Sequence, residues 1–231
     1  MEAMAIESLV ASVWKLEGFL SVTRYPVRVR SGYSDIDILG LRGDGLVRVG
    51  ECKVRGPARR VEIEDSSLRW TQQWDDSLKN IGHLWKSPPR WFPSLEALTG
   101  LEYHLVGNVW FADEATRIAV QDRLTAVVQS HLPSAFQSRA SAHVFSSAEL
   151  VSNAIRKVRI EVVEEKWGKR YGDPLLDALR ELVRYAHPRP RGSRGLRQEL
   201  SRCLQEDLLA ALFAATPEAE TEAHGKHDDA H

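Results

Sequence analysis

Two β-prone runs separated by a tight turn constrain the fold of this chain more than any other stretch. Residues 36–41 and 46–54 are rich in Ile, Leu and Val, and residues 42–45 between them read Arg-Gly-Asp-Gly. Branched aliphatic residues favour strands, and glycines on either side of an aspartate favour a turn. The sequence therefore predicts a β-hairpin centred on Asp44.

The register of the predicted hairpin gathers four charged residues at its open end. Because paired residues lie equally far from the turn centre, Asp37 faces Glu51 and Asp35 faces Lys53. The neighbouring positions are apolar on both faces, as in a strand that is covered on both sides. Carboxylates in such a place are costly to bury unless they pair with a cation or bind a metal.

The apolar residues of the hairpin are expected to alternate between its two faces. Leu39 and Val49 continue the face of the charged residues, whereas Ile36, Ile38 and Cys52 point to the opposite face. Both faces then have apolar side chains to pack, which predicts a hairpin inside a layered structure. A surface hairpin with a cross-strand salt bridge is the alternative.

The paired acids and the lysine indicate a particular chemistry. Asp37 and Glu51 side by side repel each other at neutral pH unless a cation neutralises them, and Mg²⁺ is held by one or two carboxylates with water completing its shell. A bound metal lowers the pKa of its water and takes up charge on a phosphate, and a lysine such as Lys53 can orient that water. The pattern predicts metal-assisted phosphodiester cleavage, with Mg²⁺ as cofactor and Mn²⁺ as its substitute.

Asp37, followed by Glu51-Cys52-Lys53 at the end of the next strand, resembles the active-site signature of the PD-(D/E)xK nuclease superfamily. Ser34-Asp35-Ile36-Asp37 is similar to the second-strand motif of this family, in which the later acid binds the metal. The family includes restriction-type nucleases and archaeal Holliday junction resolvases. The resemblance covers about residues 3–112. It implies Asp37 and Glu51 as metal ligands and Lys53 as a catalytic residue. Asp35, which the hairpin register places in the same charged group, is a candidate supporting residue.

A glutamate on the first predicted helix is a further candidate. Residues 3–20 have helical periodicity, and Gly18 marks the end of the helix. Glu7 has Val10 and Trp14 as helix-surface neighbours, which places its carboxylate on or beside the apolar face. Many members of the superfamily carry a glutamate on this helix that reaches toward the metal site, so the resemblance implies a catalytic role for Glu7. The alternative is a border residue that extends to water.

Basic and amide residues near the predicted site are candidates for substrate contacts. Arginines beside a nuclease site, or just past its lysine, suit phosphate groups, and a solvated surface is the alternative for each of them. In some relatives a glutamine on the helix predicted here at 65–86 supports the site. The candidate nucleic-acid-binding residues are Arg28, Arg30, Arg55, Arg59 and Arg60, and the candidate supporting glutamine is Gln73.

The order of the predicted elements is α-β-β-β-α-β-α-β, with one strand over residues 101–112. A short hairpin followed by a crossover helix predicts an α/β fold with a mixed sheet flanked by helices. This order agrees with the restriction-endonuclease-like αβββαβ core that the resemblance implies. Residues 1–146 are therefore the predicted nuclease-like core, 147–215 a helical C-terminal extension and 216–231 a disordered tail.

Net charge, cysteine content and the length of apolar runs indicate which partners and which cellular compartment to expect. The net charge of −1 requires that any nucleic-acid binding use a local basic surface, and it suggests help from a homodimer or a protein partner. Cys52 and Cys203 are expected on different elements, which favours a reducing cytoplasm over a disulfide framework. No apolar run is long enough to span a membrane, so no membrane partner is expected. DNA is the expected polymer, with RNA the substrate of some members of the superfamily.

A catalytically inactive module that keeps the nuclease fold to bind nucleic acid or a protein is the alternative to an enzyme. The intact set of two acids and a lysine favours the enzyme, because a binding module has no need of these charges in an apolar sheet. The sequence contains no glycine-rich phosphate loop of the Walker type, so ATP hydrolysis by this chain is not expected.

Overall fold

A mixed five-stranded sheet with helices on both faces lies at the centre of the molecule. The computed structural model describes residues 3–30, 32–53, 59–61, 75–163 and 171–186. The described helices and strands are α1 (Ala3–Leu16), β1 (Phe19–Val29), β2 (Gly32–Arg42), β3 (Leu46–Lys53), β4 (Arg59–Val61), α2 (Asp75–Lys86), β5 (Gly100–Gly107), β6 (Val109–Phe111), α3 (Glu114–Ser130), α4 (Ser134–Gln137), β7 (Ala140–Ser146), α5 (Ser147–Val163) and α6 (Pro174–Ala186), with a 3₁₀ turn at Leu95–Ala97.

The central sheet has the strand order β1-β2-β3-β5-β7, and β4 pairs with β6 in a separate small sheet. The strands β1, β2 and β3 are antiparallel, whereas β3, β5 and β7 are parallel. Parallel neighbours need a crossover connection. Helix α2 lies in the connection that leads to β5, and α3 lies in the connection from β5 to β7. The predicted α/β class with a mixed sheet flanked by helices is confirmed.

Each face of the sheet has its own hydrophobic core. The α2–α3 core packs these two helices against one face and includes Leu78, Tyr103 and Leu124. The α1–α5 core packs helices α1 and α5 against the opposite face and includes Trp14 and Ala154. Burial on both sides explains in physical terms why the central strands are apolar on both faces.

The hairpin of β2 and β3 has the predicted register, in which Ile38 pairs with Gly50. The turn is closed by the Gly45 N–H, which donates to the Arg42 carbonyl oxygen over 2.9 Å. Gly45 has a φ of 86°, a left-handed conformation that glycine adopts without steric cost. Because the described ladder ends at Ile38 and Gly50, the predicted charged pairs lie just beyond it.

The alternation predicted for β2 is interrupted at Asp37. The ladder of β1 and β2 runs on both sides of Arg24 and Asp37 but does not pair these two residues. Arg24 has a φ of 53°, so β1 departs from extended geometry at this point. As a result, Ile36 packs in the α2–α3 core and Ile38 in the α1–α5 core. The prediction that these two isoleucines share a face is wrong.

The strand predicted over residues 101–112 is also wrong in its extent, because it consists of two strands. β5 ends at Gly107, and β6 leaves the central sheet to pair with β4. Asn108 lies between them, and its Oδ1 accepts a hydrogen bond from the Ser147 hydroxyl at the start of α5 over 3.2 Å. A contact with a residue far away in the sequence therefore lies at the point where one apolar run is divided into two strands.

The segment after β7 packs on the central sheet. Leu150 and Ala154 of α5 lie in the α1–α5 core, and α6 packs against α5 and α1. The division into domains at 1–146 and 147–215 stays a prediction, and the predicted tail at 216–231 lies outside the described residues. Among the helices that the structure describes, none has the length and apolar character needed to cross a membrane.

Candidate active site

The middle of β2 and the end of β3 bring two carboxylates and an ammonium together. Asp37 lies in β2, and Glu51 and Lys53 lie at the end of β3. The Lys53 Nζ forms an ion pair with Glu51 Oε1 and lies 3.9 Å from Asp37 Oδ2. Three residues that the sequence singles out as catalytic therefore form one cluster, in which the Lys53 ammonium lies close to both acids.

Within this cluster Glu51 is buried, Asp37 is partly buried and Lys53 is exposed. The side chains of Glu51 and Asp37 are 6% and 16% exposed, whereas that of Lys53 is 42% exposed. Carboxylates at such low exposure require a compensating charge, which the ammonium supplies. Solvent reaches the cluster from the side of Lys53.

A backbone hydrogen bond fixes the carboxylate of Asp37. The Cys52 N–H donates to Asp37 Oδ2 over 2.7 Å, which connects the two strands beyond their last ladder pair. The Cys52 thiol points away into the α1–α5 core, as predicted from its place in the strand. Burial, reinforced by the charges of Asp37 and Glu7, raises the pKa of this thiol, so Cys52 stays protonated and is not a nucleophile.

Burial and charge shift the pKa values of the cluster in defined directions. Burial raises the pKa of Asp37, and the Cys52 N–H and the Lys53 ammonium offset this only in part. Burial alone would lower the pKa of Lys53, but the attraction of Glu51, with that of Asp37, outweighs it and the pKa is raised. Lys53 therefore remains a cation here, suited to orienting a water molecule or stabilising negative charge.

Glu7 approaches the same cluster from α1. Its side chain is 7% exposed, and its Oε2 accepts a hydrogen bond from Arg24 Nε over 3.2 Å. The charge of Glu7 contributes to the raised pKa of Asp37, which places the two carboxylates within electrostatic reach. The alternative of a border residue extending to water does not describe this buried and paired side chain.

Asp35 is exposed and is held through its backbone. It pairs with Pro26 of β1, and no described ladder pairs it with Lys53. Asn80 of α2 is 7% exposed and donates to the Ser34 hydroxyl and to the Asp35 carbonyl oxygen, each over 3.0 Å. Asn80 thus anchors β2 two residues before the partly buried carboxylate of Asp37. An isolated amide among the apolar positions of a helix is the one sign of this role in the sequence.

A buried tyrosine that the sequence does not single out neighbours the cluster. Tyr103 of β5 pairs with Val49 of β3, and Glu51 lies two residues further along the same face. Among the described atoms, its hydroxyl is buried without a hydrogen-bond partner. Burial, with the charges of Glu51 and Asp37, raises the pKa of Tyr103, so the hydroxyl keeps its proton and can act only as a neutral group.

The structure describes some of the candidate substrate-binding residues, and no described contact connects any of those to the acidic cluster. Arg28 in β1 and Arg30 in the turn after it are exposed, and no described contact joins either of them to the cluster. Arg59 and Arg60 belong to β4, which pairs with β6. Arg55 and Gln73 lie outside the described residues.

The donor set limits the kind of cation that suits the cluster. Within the described ranges, no group of three or more His, Cys, Asp or Glu side chains is arranged to hold a metal ion. Two carboxylates with solvent access on one side fit Mg²⁺ or Mn²⁺, since Mg²⁺ takes one or two carboxylates and keeps several waters. They do not fit a structural zinc site, which needs four protein ligands.

Comparison with known proteins identifies no relative, because no family model, no curated protein and no solved structure matches the chain.

Proposed function

We propose that this chain is a metal-dependent nuclease with the restriction-endonuclease-like αβββαβ core, and that its substrate is DNA. The observation that carries the proposal is the position of Lys53, whose ammonium pairs with Glu51 of the same strand and lies 3.9 Å from Asp37 of the neighbouring strand. A buried acid pair destabilises a fold unless a cation neutralises it. A function that depends on a bound cation accounts for keeping this pair in an apolar sheet.

Each residue of the cluster has a role in this proposal. Asp37 and Glu51 would hold the cation, and Glu7 would complete the site from α1. A bound Mg²⁺ or Mn²⁺ supplies a water of lowered pKa and takes up charge on the phosphate. Lys53, released from Glu51, would orient that water and stabilise the developing charge.

The proposed reaction is hydrolysis of a phosphodiester bond. The water oxygen bonds to phosphorus while the bond from phosphorus to the leaving sugar oxygen breaks, giving a phosphate monoester and a free hydroxyl. The water loses a proton as it attacks, and the leaving oxygen gains one. Because Lys53 remains a cation in the cluster, it is assigned to charge stabilisation and not to the uptake of this proton.

DNA as the substrate is supported by the resemblance of Asp37, Glu51 and Lys53 to the PD-(D/E)xK signature. The exposed arginines Arg28 and Arg30 add positive charge at one end of β1, which favours a polyanion. Since the whole chain carries a net charge of −1, a second copy or a protein partner is proposed to contribute to affinity.

Cleavage by the purified protein tests the proposal. Supercoiled plasmid, linear duplex, single-stranded DNA and RNA are each incubated with Mg²⁺, with Mn²⁺ and with EDTA. We expect cleavage of DNA in either metal and none in EDTA. Glu51→Gln and Lys53→Met are expected to lower the rate by at least about 100-fold, as removal of a group that acts in the transition state does.

Glu96→Gln is the matched control, because Glu96 is an exposed carboxylate in the 3₁₀ turn near the other end of the hairpin. It is expected to cleave like the wild type. If wild type, Glu51→Gln and Lys53→Met bind nucleic acid equally and none of them cleaves it, the chain is a binding module instead. Cleavage of RNA alone would show that the substrate is RNA and not DNA, and it would still support metal-dependent hydrolysis of a phosphodiester bond.

A further inference from the structure

The backbone of β1 is strained at Arg24. Its φ of 53° is the only positive value among the described residues other than glycine, and residues with a Cβ rarely adopt it. The ladder of β1 and β2 omits Arg24 and Asp37, which would otherwise face each other. Strain of this kind persists where the surrounding structure needs a side chain in a particular place.

The side chain of Arg24 points toward the acids of the candidate site. Its Nε donates to Glu7 Oε2 over 3.2 Å, and 53% of the side chain is exposed. The bond to Glu7, followed by the charges of Asp35 and Asp37, raises the pKa of the guanidinium. A guanidinium has five N–H donors, so the exposed part of Arg24 carries donors beyond the one that meets Glu7.

Arg24 and Lys53 approach Asp37 from the two neighbouring strands. β2 lies between β1 and β3 in the sheet, so the two cations flank the carboxylate that β2 carries. A phosphate that enters this cluster of acids is repelled unless cations face it. The planar fork of an arginine matches the oxygens of a phosphate better than the point charge of a lysine does.

We propose that Arg24 binds a phosphate of the nucleic-acid backbone at this site, and that Glu7 holds the guanidinium in place until the substrate arrives. This inference rests on the proposed nuclease function. The guanidinium exchanges its bond to Glu7 for a bond to a phosphate oxygen, and the carboxylate of Glu7 would then be available to a cation that Asp37 and Glu51 would hold.

Kinetics of matched variants test the inference. Arg42→Ala is the control, because Arg42 also bonds an acid, Asp44, but at the turn end of the hairpin. On the polymer that the wild type cleaves, Arg24→Ala is expected to lower kcat/KM about 10- to 100-fold, the range for loss of a charge-assisted hydrogen bond. The kcat/KM of Arg24→Lys is expected to lie between those of Arg24→Ala and Arg42→Ala, since lysine keeps the charge without the fork of donors.

The salt dependence of binding distinguishes a phosphate contact from a structural role. In a Lys53→Met background with Mg²⁺, Arg24→Ala is expected to reduce the slope of log K against log salt concentration by about one. Glu7→Gln in the same background removes the partner of Arg24 in the resting site and is expected to leave the slope unchanged. If both changes have the same effect on binding and slope, Arg24 serves only to position Glu7.

A third variant separates function from folding. Arg24→Gly is expected to fold at least as readily at this position, because glycine adopts a positive φ without strain, and to lose activity like Arg24→Ala. If the wild type cleaves but the Arg24 variants cleave and bind like Arg42→Ala, the inference is wrong and the nuclease proposal stands. If the wild type cleaves nothing, the nuclease proposal fails and the salt slope alone decides the role of Arg24.

Discussion

Asp37 carries a carboxylate whose ionisation the fold opposes. Burial raises its pKa, and the Cys52 N–H and Lys53 do not fully compensate. A group whose pKa is higher in the folded than in the unfolded state stabilises the fold fully below its unfolded pKa. That contribution is lost as the pH rises through the folded pKa. The ionised form of Asp37 therefore destabilises the protein, and this cost grows as the pH rises.

Asp37→Asn is expected to raise the melting temperature of the metal-free protein at pH 7. The amide keeps an oxygen for the Cys52 N–H and removes the buried charge. The difference from the wild type should shrink as the pH falls toward the ordinary range of an aspartate. Thermal unfolding in EDTA, followed at a series of pH values, measures both effects.

Asp44→Asn provides a control of opposite sign within the same hairpin. The Arg42 guanidinium lowers the pKa of Asp44 to about 2, so its small stabilising effect is present at neutral pH and is lost as the pH falls through that value. This variant should be slightly less stable than the wild type at pH 7. A lower melting temperature for Asp37→Asn at pH 7 would mean that its carboxylate stabilises the fold.

At the scale of residues, local spacing predicts the acids and the lysine but not their supports. Asp37, Glu51 and Lys53 are found from the sequence because a hairpin converts short spacing into proximity. Asn80 is missed because its role depends on packing between α2 and β2, and an amide among apolar helix positions does not show which strand it contacts. The strain at Arg24 is missed because dihedral angles of a single residue leave no periodicity.

At the scale of elements, Trp14 positions α1 because its ring packs directly on Gly40 and Gly50 of the hairpin. Trp14 is buried, and a Cβ added at Gly50 would lie 2.9 Å from its ring, while one at Gly40 would lie 3.0 Å away. Side chains at these positions would hold α1 away from the sheet. The close approach matters for the candidate site because the same helix carries Glu7.

Gly50→Ala is expected to destabilise the protein by about 1–3 kcal/mol, the usual cost of overpacking a core. The added methyl group meets the ring of Trp14, and Ile38 closes the other side of the space. Urea denaturation measures the change. Gly43→Ala in the turn is the control, since a Cβ there meets nothing within 4 Å and the change should stay within about 0.5 kcal/mol. Equal stability of the two variants would contradict the packing of α1.

At the scale of elements, the types and most of the ends are predictable from the sequence. Capping by Asp113 at α3 and by Ser146 at α5 follows from local hydrogen bonds that the sequence signals. The break at Asn108 does not, because β6 is defined by its pairing with β4, far away in the chain. Periodicity describes a strand but not the partner that ends it.

For the whole molecule, Asp173 ties the last described helix to the first. Its Oδ2 accepts hydrogen bonds from the Ser12 hydroxyl over 2.9 Å and from Lys15 Nζ over 3.0 Å. Its Oδ1 accepts from the N–H groups of Leu175 and Leu176 and so caps α6. The cap is a local contact within Asp173–Leu176, whereas the link to α1 spans most of the chain and leaves no local pattern.

Asp173→Ala is expected to lower the free energy of unfolding by about 2 kcal/mol, from the loss of a cap and of a buried ion-pair partner. Asp173→Asn keeps an oxygen for the cap, so the free energy of unfolding should fall by about half as much as in Asp173→Ala. Calorimetry should show a single transition for the wild type and both variants if the chain through α6 unfolds as one unit. Separate transitions would support a domain boundary near residue 147.

Binding of Mn²⁺ by calorimetry tests most directly whether Asp37 and Glu51 form a cation site that Lys53 occupies when no metal is bound. Glu51→Gln is expected to weaken binding by at least about tenfold, a loss that even indirect partners of a metal ligand cause. Lys53→Met should bind Mn²⁺ at least as tightly as the wild type, because the ammonium no longer competes for the carboxylates. Glu96→Gln should bind like the wild type. Unchanged affinity in Glu51→Gln, or loss of binding in Lys53→Met alone, would contradict the assignment of this cluster as a metal site.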